Sequence, residues 1–312
     1  MHIYRPVLDL WTELTLTMDR RSIYNLVMTR SNRAATGDVC RWSQTQTRFT
    51  GGVPRIAYRA AMHPVSGDTS PNPPLVLLHS LAVDQSTWAP VAEILDRDHR
   101  VITIDTRGHG DSASAGSAGP AEWSADIISV LDALEIDKAL LVGVSMGGIQ
   151  AGAAAAAAAE RVTGIVVADS FAALPAKISA ARIAGLSEYA ATHPMDQVAD
   201  KYVDDTFVAA HADARGRELV RRSISAMGHG DYLCAVAACF GADIRAELAN
   251  VVVPALVLWG ELDQKTPRAL SEAIATGIPE AHLKVVPGAA HLSHLDQPEV
   301  FASLVSEFAA RV

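Results

Sequence analysis

The sequence predicts an α/β fold in which a mostly parallel central sheet is flanked by helices and carries an inserted helical cap. Short, continuously apolar segments alternate with helical patterns over residues 45–170. The alternation stops over residues 171–249, where the pattern is helical throughout, and it resumes over residues 250–312. Continuously apolar strands that alternate with helices are typical of parallel sheets covered on both faces. We therefore predict one core, residues 45–170 and 250–312, and a cap, residues 171–249.

The first 44 residues do not fit this alternation. Apolar positions around Leu8, Trp11 and Leu14 predict one or two short helices, which lead into a polar connector. Met18 and Met28 lie inside the stretch. We assign residues 1–44 as an N-terminal arm of unknown role.

Strands are predicted from Thr45 onward. Two short segments flank Gly51-Gly52, which predicts a hairpin because paired glycines supply the positive φ of a tight turn. Buried strands are predicted at residues 75–78, 101–104, 139–142, 164–168 and 255–259, and a further strand at residues 282–286. Helices of the cap are predicted at residues 176–189, 195–208, 215–226 and 232–240. An amphipathic helix at residues 298–310 completes the core.

Composition restricts the class of protein. The chain has 312 residues, 49% of them hydrophobic and 20% charged, as in an ordinary globular protein. A formal net charge of -9 argues against nucleic acid or an anionic membrane as partner. Cys40, Cys234 and Cys239 are too few for a disulfide framework or a zinc site. Without a signal peptide or an apolar run of the ~18 residues that span a bilayer, we expect a cytoplasmic protein.

The motif Gly143-Val144-Ser145-Met146-Gly147 joins a predicted strand to an alanine-rich helix. Glycines two residues before and after the serine allow a tight bend, so the hydroxyl projects from the end of the sheet. Such exposure suits a nucleophile. A serine hydroxyl also needs a general base, a carboxylate that orients the base, and donors for an oxyanion.

His291 is the candidate base. It lies in the turn Gly288-Ala289-Ala290-His291, directly after the last predicted strand, whereas His294 is the nearby competitor. The candidate acid is Asp263, just past the strand that ends at Trp259, and the second candidate is Asp169. Glu261 is a further alternative, although it lies close to the end of the strand. The order nucleophile, acid, base along the chain favours Asp263.

Backbone N–H groups of Leu81 and Met146 are the candidate oxyanion donors. Leu81 follows the strand 75–78, and Met146 follows the nucleophile. Ser80, Trp88 and Trp259 are candidate substrate contacts. Five cations of the cap could pair with an anionic substrate group: Lys177, Arg182, Arg217, Arg221 and Arg222.

Residues 45–312 resemble the α/β-hydrolase superfamily. The resemblance rests on His79, the turn Asp105-Thr106-Arg107-Gly108-His109-Gly110, the Ser145 motif, and the order Ser145, Asp263, His291. Within the superfamily the chain is most similar to 3-oxoadipate enol-lactonases and related lid-bearing esterases, through residues 105–110, 288–293 and 296–299. Two features depart from that group: Ser80, where many relatives have glycine, and the N-terminal arm.

The resemblance implies the α/β-hydrolase fold and a serine hydrolase that cleaves a small carboxylic ester or (enol-)lactone through an acyl-enzyme. It implies neither a metal nor a cofactor, and a structural role for Asp105 and Arg107. Three alternatives stay open: a hydrolase of C–C or amide bonds from aromatic or heterocycle degradation, a cofactor-free perhydrolase, and a non-catalytic ligand-binding homologue. The sequence does not indicate an oligomeric state.

Overall fold

A computed structural model of the chain describes residues 42–61, 72–114, 116, 118–207 and 214–312. Residues 1–41 of the predicted N-terminal arm lie outside this part of the chain. The three remaining residues of the arm, Trp42–Gln44, form a short 3₁₀ turn in which Trp42 is buried.

The described residues form one sheet of eight strands in the order β1-β2-β4-β3-β5-β6-β7-β8. Strands β1 and β2 form a hairpin as predicted, but the predicted tight turn is wrong, because neither Gly51 nor Gly52 has positive φ and the connection extends from Phe49 to Ala57. Strand β2 is antiparallel to β4, and the remaining neighbours are parallel. The mostly parallel sheet is thus confirmed. The strands are β1 Arg48–Phe49, β2 Ala57–Ala60, β3 Leu75–Leu78, β4 Val101–Ile104, β5 Ala139–Val144, β6 Val162–Ala168, β7 Ala255–Gly260 and β8 His282–Val286.

Helices cover the sheet, and four of them form the predicted insert between β6 and β7. Helices of the core are α1 Ala89–Leu95, α2 Pro120–Ala133, α3 Met146–Ala157, α8 Arg245–Leu248, α9 Arg268–Gly277, α10 Ser293–Asp296 and α11 Pro298–Ala309. Helices of the insert are α4 Ala176–Thr192, α5 Met195–Thr206, α6 Ala214–Ala226 and α7 His229–Gly241. The predicted end of α5, residue 208, lies outside the described residues. None of the described helices combines the length and apolar character needed to cross a bilayer.

The middle of the sheet is fully buried. Every residue of β3, β4 and β5 is buried. The alanine-rich helix α3 contacts β5, β6 and α2, and its small side chains allow this close approach. Because β3, β5 and β6 are parallel neighbours, their carboxyl ends lie at one edge of the sheet.

The turn between β5 and α3 is the tightest connection in the core. Ser145 sits at its apex with φ of 57° and ψ of -116°, a backbone conformation that side chains rarely adopt. A Cβ on Gly143 would lie 2.0 Å from the Gly147 carbonyl oxygen, and one on Gly147 would lie 2.1 Å from the Leu78 carbonyl oxygen. Both glycines are therefore required by backbone contact.

We expect Gly147→Ala to lower the free energy of unfolding by about 3 kcal/mol or more, because the added methyl meets backbone that cannot move aside. Gly185→Ala is the matched control. Gly185 lies inside α4 with no atom within 4 Å of the added Cβ, so this change should raise the free energy of unfolding by about 0.5–1 kcal/mol. Urea denaturation measures both, and equal effects would contradict the account of the turn.

Candidate active site

Ser145, His291 and Asp263 are brought together at the carboxyl edge of the sheet. His291 Nε2 lies 3.1 Å from Ser145 Oγ, and His291 Nδ1 lies 3.0 Å from Asp263 Oδ2. Ser145 follows β5, Asp263 follows β7, and His291 follows β8. A nucleophile, a base and an orienting carboxylate within hydrogen-bond reach of one another make a serine capable of acyl transfer.

Asp263 is held by its own loop. Asp263 Oδ1 accepts hydrogen bonds from the backbone N–H groups of Lys265, at 2.8 Å, and Thr266, at 3.1 Å. The Thr266 hydroxyl donates to Asp263 Oδ2. Burial favours the protonated acid, but the charge of His291 and the hydrogen bonds from His291 and Thr266 together outweigh it and lower the pKa of Asp263. Asp263 is therefore a carboxylate that can stabilise an imidazolium.

The other candidate acid, Asp169, occupies a different position. It directly follows β6, has φ of 49° and is fully buried, and its carboxyl accepts from the backbone N–H groups of Gly260, at 2.7 Å, and Ser293, at 3.3 Å. Burial, and next the charge of Asp263, raise the pKa of Asp169 well above its ordinary value. Asp169 thus joins the loops after β7 and β8 through its hydrogen bonds with the backbone.

Two buried histidines hold the loop that carries Ser80 and Leu81. His79 Nδ1–H donates to the Ser80 carbonyl oxygen at 2.8 Å, and His79 Nε2 accepts from Thr106 N–H at 2.9 Å. His109 Nε2 accepts from Ala82 N–H at 3.2 Å. Burial is the main cause that lowers the pKa of His79, and it lowers that of His109 to about 3. Both rings are neutral, as an acceptor nitrogen requires.

The turn 105–110 has the structural contacts that the resemblance implied. Asp105 accepts from Gln85 N–H and Gln85 Nε2, each at 2.7 Å, and from Asp111 N–H at 3.0 Å. Arg107 makes a two-pronged ion pair with Asp126 at 2.7 and 2.8 Å. These contacts join the turn to the segment after β3 and to α2.

One cleft lies over the candidate triad, with about 720 Å³ of space including its opening to solvent. The core contributes Ser80, Leu81, Ser145 and His291 to its lining. The insert contributes residues from three helices. They are Arg182, Leu186 and Tyr189 of α4, Val198, Lys201, Tyr202 and Asp205 of α5, and Tyr232, Cys239 and Phe240 of α7. The insert therefore covers the cleft, and the carboxyl edge of the sheet forms its base.

Two tryptophans expected at the substrate are placed elsewhere. Trp88 is fully buried, with its ring 4.4 Å from that of His294 and 5.9 Å from that of Phe301. Trp259 donates from Nε1 to the Thr266 carbonyl oxygen at 3.2 Å. Among the described residues that line the cleft, neither tryptophan is present. The Trp88 side chain packs against His294 and Phe301 instead, and that of Trp259 donates to the loop that carries Asp263.

The competing base, His294, is part of the same aromatic cluster as Trp88. Burial lowers the pKa of His294 to about 3, so it is neutral.

Met146 is fully buried as the first residue of α3, which leaves its backbone N–H next to Ser145.

Of the five cap cations considered, Arg182 alone is among the described residues that line the cleft. Lys177 and Arg222 are exposed, Arg221 pairs with Asp200 at 2.7 Å, and Arg217 donates to the Phe207 carbonyl oxygen. Two further lysines, Lys201 and Lys265, line the cleft, and the sequence interpretation missed both. Lys265 could have been noticed, because it lies two residues after the acid at a strand end.

Across the described parts of the chain, no group of three or more His, Cys, Asp or Glu side chains is placed to hold a metal ion. Cys234 is exposed and Cys239 is buried, both as free thiols, whereas Cys40 lies outside the described residues.

Comparison with known proteins places the chain among hydrolases. A 3-oxoadipate enol-lactonase from Acinetobacter baylyi is 31% identical over 245 residues, which are 76% of this chain and 88% of that protein. A hydrolase structure from Pseudomonas aeruginosa PA01 has a TM-score of 0.73 at 30% identity, covering 85% of this chain and 98% of that one. The enol-lactonase structure from Burkholderia xenovorans LB400 has a TM-score of 0.72 at 28% identity, covering 84% and 99%.

The profile of the Alpha/beta hydrolase family matches residues 75–304. This range begins at β3, contains Ser145, Asp263 and His291, and ends within α11. The resemblance inferred from the motifs is thereby confirmed, and the chain belongs to the alpha/beta hydrolase family.

Proposed function

We propose that the protein is a serine hydrolase that cleaves a small carboxylic ester or (enol-)lactone through an acyl-enzyme. The observation that carries this proposal is the hydrogen-bonded series from Ser145 Oγ to His291 and on to Asp263, at 3.1 and 3.0 Å. The series opens into the cleft beneath the insert. The similarity to the enol-lactonase of Acinetobacter baylyi supports the choice of ester and lactone chemistry.

Acylation begins when Ser145 Oγ attacks the substrate carbonyl carbon and His291 Nε2 takes the hydroxyl proton. The carbonyl oxygen becomes an oxyanion, for which backbone N–H groups of Leu81 and Met146 are the donors. Asp263 stabilises the imidazolium through His291 Nδ1–H. His291 then returns the proton to the leaving oxygen as the bond from carbonyl carbon to that oxygen breaks. In a lactone this oxygen remains attached to the acyl group.

Deacylation repeats these steps with water. His291 takes a proton from the water, whose oxygen attacks the acyl carbon, and the tetrahedral intermediate collapses with return of the proton to Ser145 Oγ. The products are a carboxylic acid and an alcohol, or a ring-opened hydroxy or oxo acid from a lactone.

Ser145→Ala should lower kcat by on the order of 10⁶ on any ester that the wild type hydrolyses, because the other two residues act only through the nucleophile. A fluorophosphonate probe should add its phosphonyl group to the wild type at Ser145, as located by peptide mass spectrometry. Ser303→Ala is a matched control, since its hydroxyl lies on α11 and contacts Glu307 Oε1 at 3.5 Å, outside the reacting series. Full turnover by Ser145→Ala, or a wild type without adduct, would contradict the proposal.

Asp263→Asn should lower kcat by on the order of 10⁴, because the amide cannot stabilise the imidazolium and favours the wrong tautomer of His291. Asp169→Asn should lower kcat less than about tenfold, since the Asp169 carboxyl accepts from the backbone N–H groups of Gly260 and Ser293 and takes no part in the series from Ser145 to Asp263. Steady-state kinetics on one ester, with circular dichroism to verify folding, compares the two variants. The opposite ranking would identify Asp169 as the acid of the triad.

A further inference from the structure

Among the residues that the structure describes, Lys265 is a half-buried cation in the cleft without a carboxylate partner. Its Nζ donates to the Thr206 hydroxyl at 2.5 Å and lies 4.1 Å from the centre of the Tyr202 ring. The ion pairs of the described residues do not include Lys265. Removing an ammonium group from water without a counter-charge is costly, and such groups concentrate at functional sites. The lysine lines the same cleft as Ser145 and His291.

The backbone of Lys265 is fixed by the triad. Its N–H donates to Asp263 Oδ1 at 2.8 Å, and its carbonyl oxygen accepts from Arg182 Nη2 at 2.7 Å. Arg182 also lines the cleft, with its guanidinium carbon 5.5 Å from the centre of the Phe240 ring. The position of Lys265 relative to the nucleophile is thus set by the loop that orients His291, and a second cation lies beside it.

Lys265 and Arg182 form one wall of the cleft, and the carboxylates that face this wall are already engaged in pairs with other residues. Asp205 pairs with Lys201 at 2.8 Å, and Asp263 pairs with His291. Burial lowers the pKa of Lys265 to about 8. The negative charges of Asp205 and Asp263 oppose this shift, whereas the positive charges of Arg182 and Lys201 add to it. Near neutral pH this wall therefore has excess positive charge, in a protein with a formal net charge of -9.

The remaining titratable groups along the wall are neutral at this pH. Burial raises the pKa of Tyr202, Tyr232 and Cys239 to about 12 each. Lys265 is therefore the group near the triad whose charge changes around pH 8.

Resting on the function proposed above, we propose that Lys265, with Arg182 beside it, binds a free carboxylate of the substrate while the ester or lactone carbonyl lies at Ser145. An ammonium group has three donors, and one of them is used by Thr206. A carboxylate can accept the others in charge-assisted hydrogen bonds, which are stronger than neutral ones. The substrate class is then a small ester or lactone that bears a second, ionised acid group.

Two 4-nitrophenyl esters of equal acyl length test this assignment: the monoester of glutaric acid, which is anionic, and the pentanoate, which is neutral. The wild type should favour the glutarate ester in kcat/KM. Lys265→Met should lower the ratio of kcat/KM for glutarate ester over pentanoate by on the order of tenfold, mainly through KM. Lys265→Arg keeps a positive charge and should recover part of that ratio. Lys177→Met removes an exposed cation from α4 and should keep the wild-type ratio.

The wild type alone supplies a second test. Lys265 is charged below about pH 8 and loses its proton above it. KM for the glutarate ester should therefore rise several-fold between pH 7 and pH 9 and level off at about tenfold, the loss expected for Lys265→Met. KM for the pentanoate should not follow this rise. Because both esters use the same triad, titration of the triad cancels in their ratio, once spontaneous hydrolysis is subtracted.

Calorimetric titration with glutarate separates this inference from the proposed function, since binding requires no turnover. Glutarate should bind Lys265→Met on the order of tenfold more weakly than it binds the wild type. If Lys265→Met does not fold, weaker binding by the wild type at pH 9 than at pH 7 serves instead. Equal binding in these comparisons, or equal kcat/KM for both esters in wild type and variant, would overturn the role of Lys265 and leave the hydrolase proposal standing. Absence of turnover and of fluorophosphonate adduct, with glutarate binding intact, would overturn the hydrolase proposal alone.

Discussion

The close approach of helix α3 to strands β5 and β3 is the constraint on which the site depends. Gly143 and Gly147 let backbone atoms meet where any side chain would intervene. The strained conformation of Ser145 is stabilised by hydrogen bonds on both sides of the residue: Ser145 N–H donates to the Ala168 carbonyl oxygen at 2.8 Å, and Ser170 Oγ donates to the Ser145 carbonyl oxygen. A conformation that costs roughly 1–3 kcal/mol in isolation persists because its surroundings admit no other. The Ser145 hydroxyl is thereby held within reach of His291.

Buried carboxyl groups around this turn differ in pKa because they differ in partners. The histidine beside Asp263 holds its pKa below the ordinary value, whereas burial and the neighbouring charge of Asp263 raise the pKa of Asp169. Burial raises the pKa of Asp105 to about 7, although three N–H groups donate to it. Neighbouring acids whose environments push their pKa values apart can take separate roles, one electrostatic and the others structural.

Buried histidines show the same division. His79 and His109 are neutral and connect the loop after β3 to the turn 105–110, and their rings lie 5.1 Å apart. His294 packs between aromatic rings. His291 is the one among these four that contacts both a hydroxyl and a carboxylate in the described part of the chain. The residue type alone does not distinguish these roles, since each depends on what lies against the ring nitrogens.

The sequence by itself determined the sheet, the insert and the meeting of Ser145 with His291. Parallel strands end at one edge, so residues that follow β5 and β8 had to lie near one another, and glycine spacing marked the turn. Chain order favoured Asp263, but only the tertiary structure separated it from Asp169 by placing it against His291 Nδ1. Side-chain packing likewise places Lys265 in the lining of the cleft and Trp88 and Trp259 outside it. These outcomes depend on how the insert helices and the acid loop pack together, and such long-range contacts leave no periodic signal in the chain.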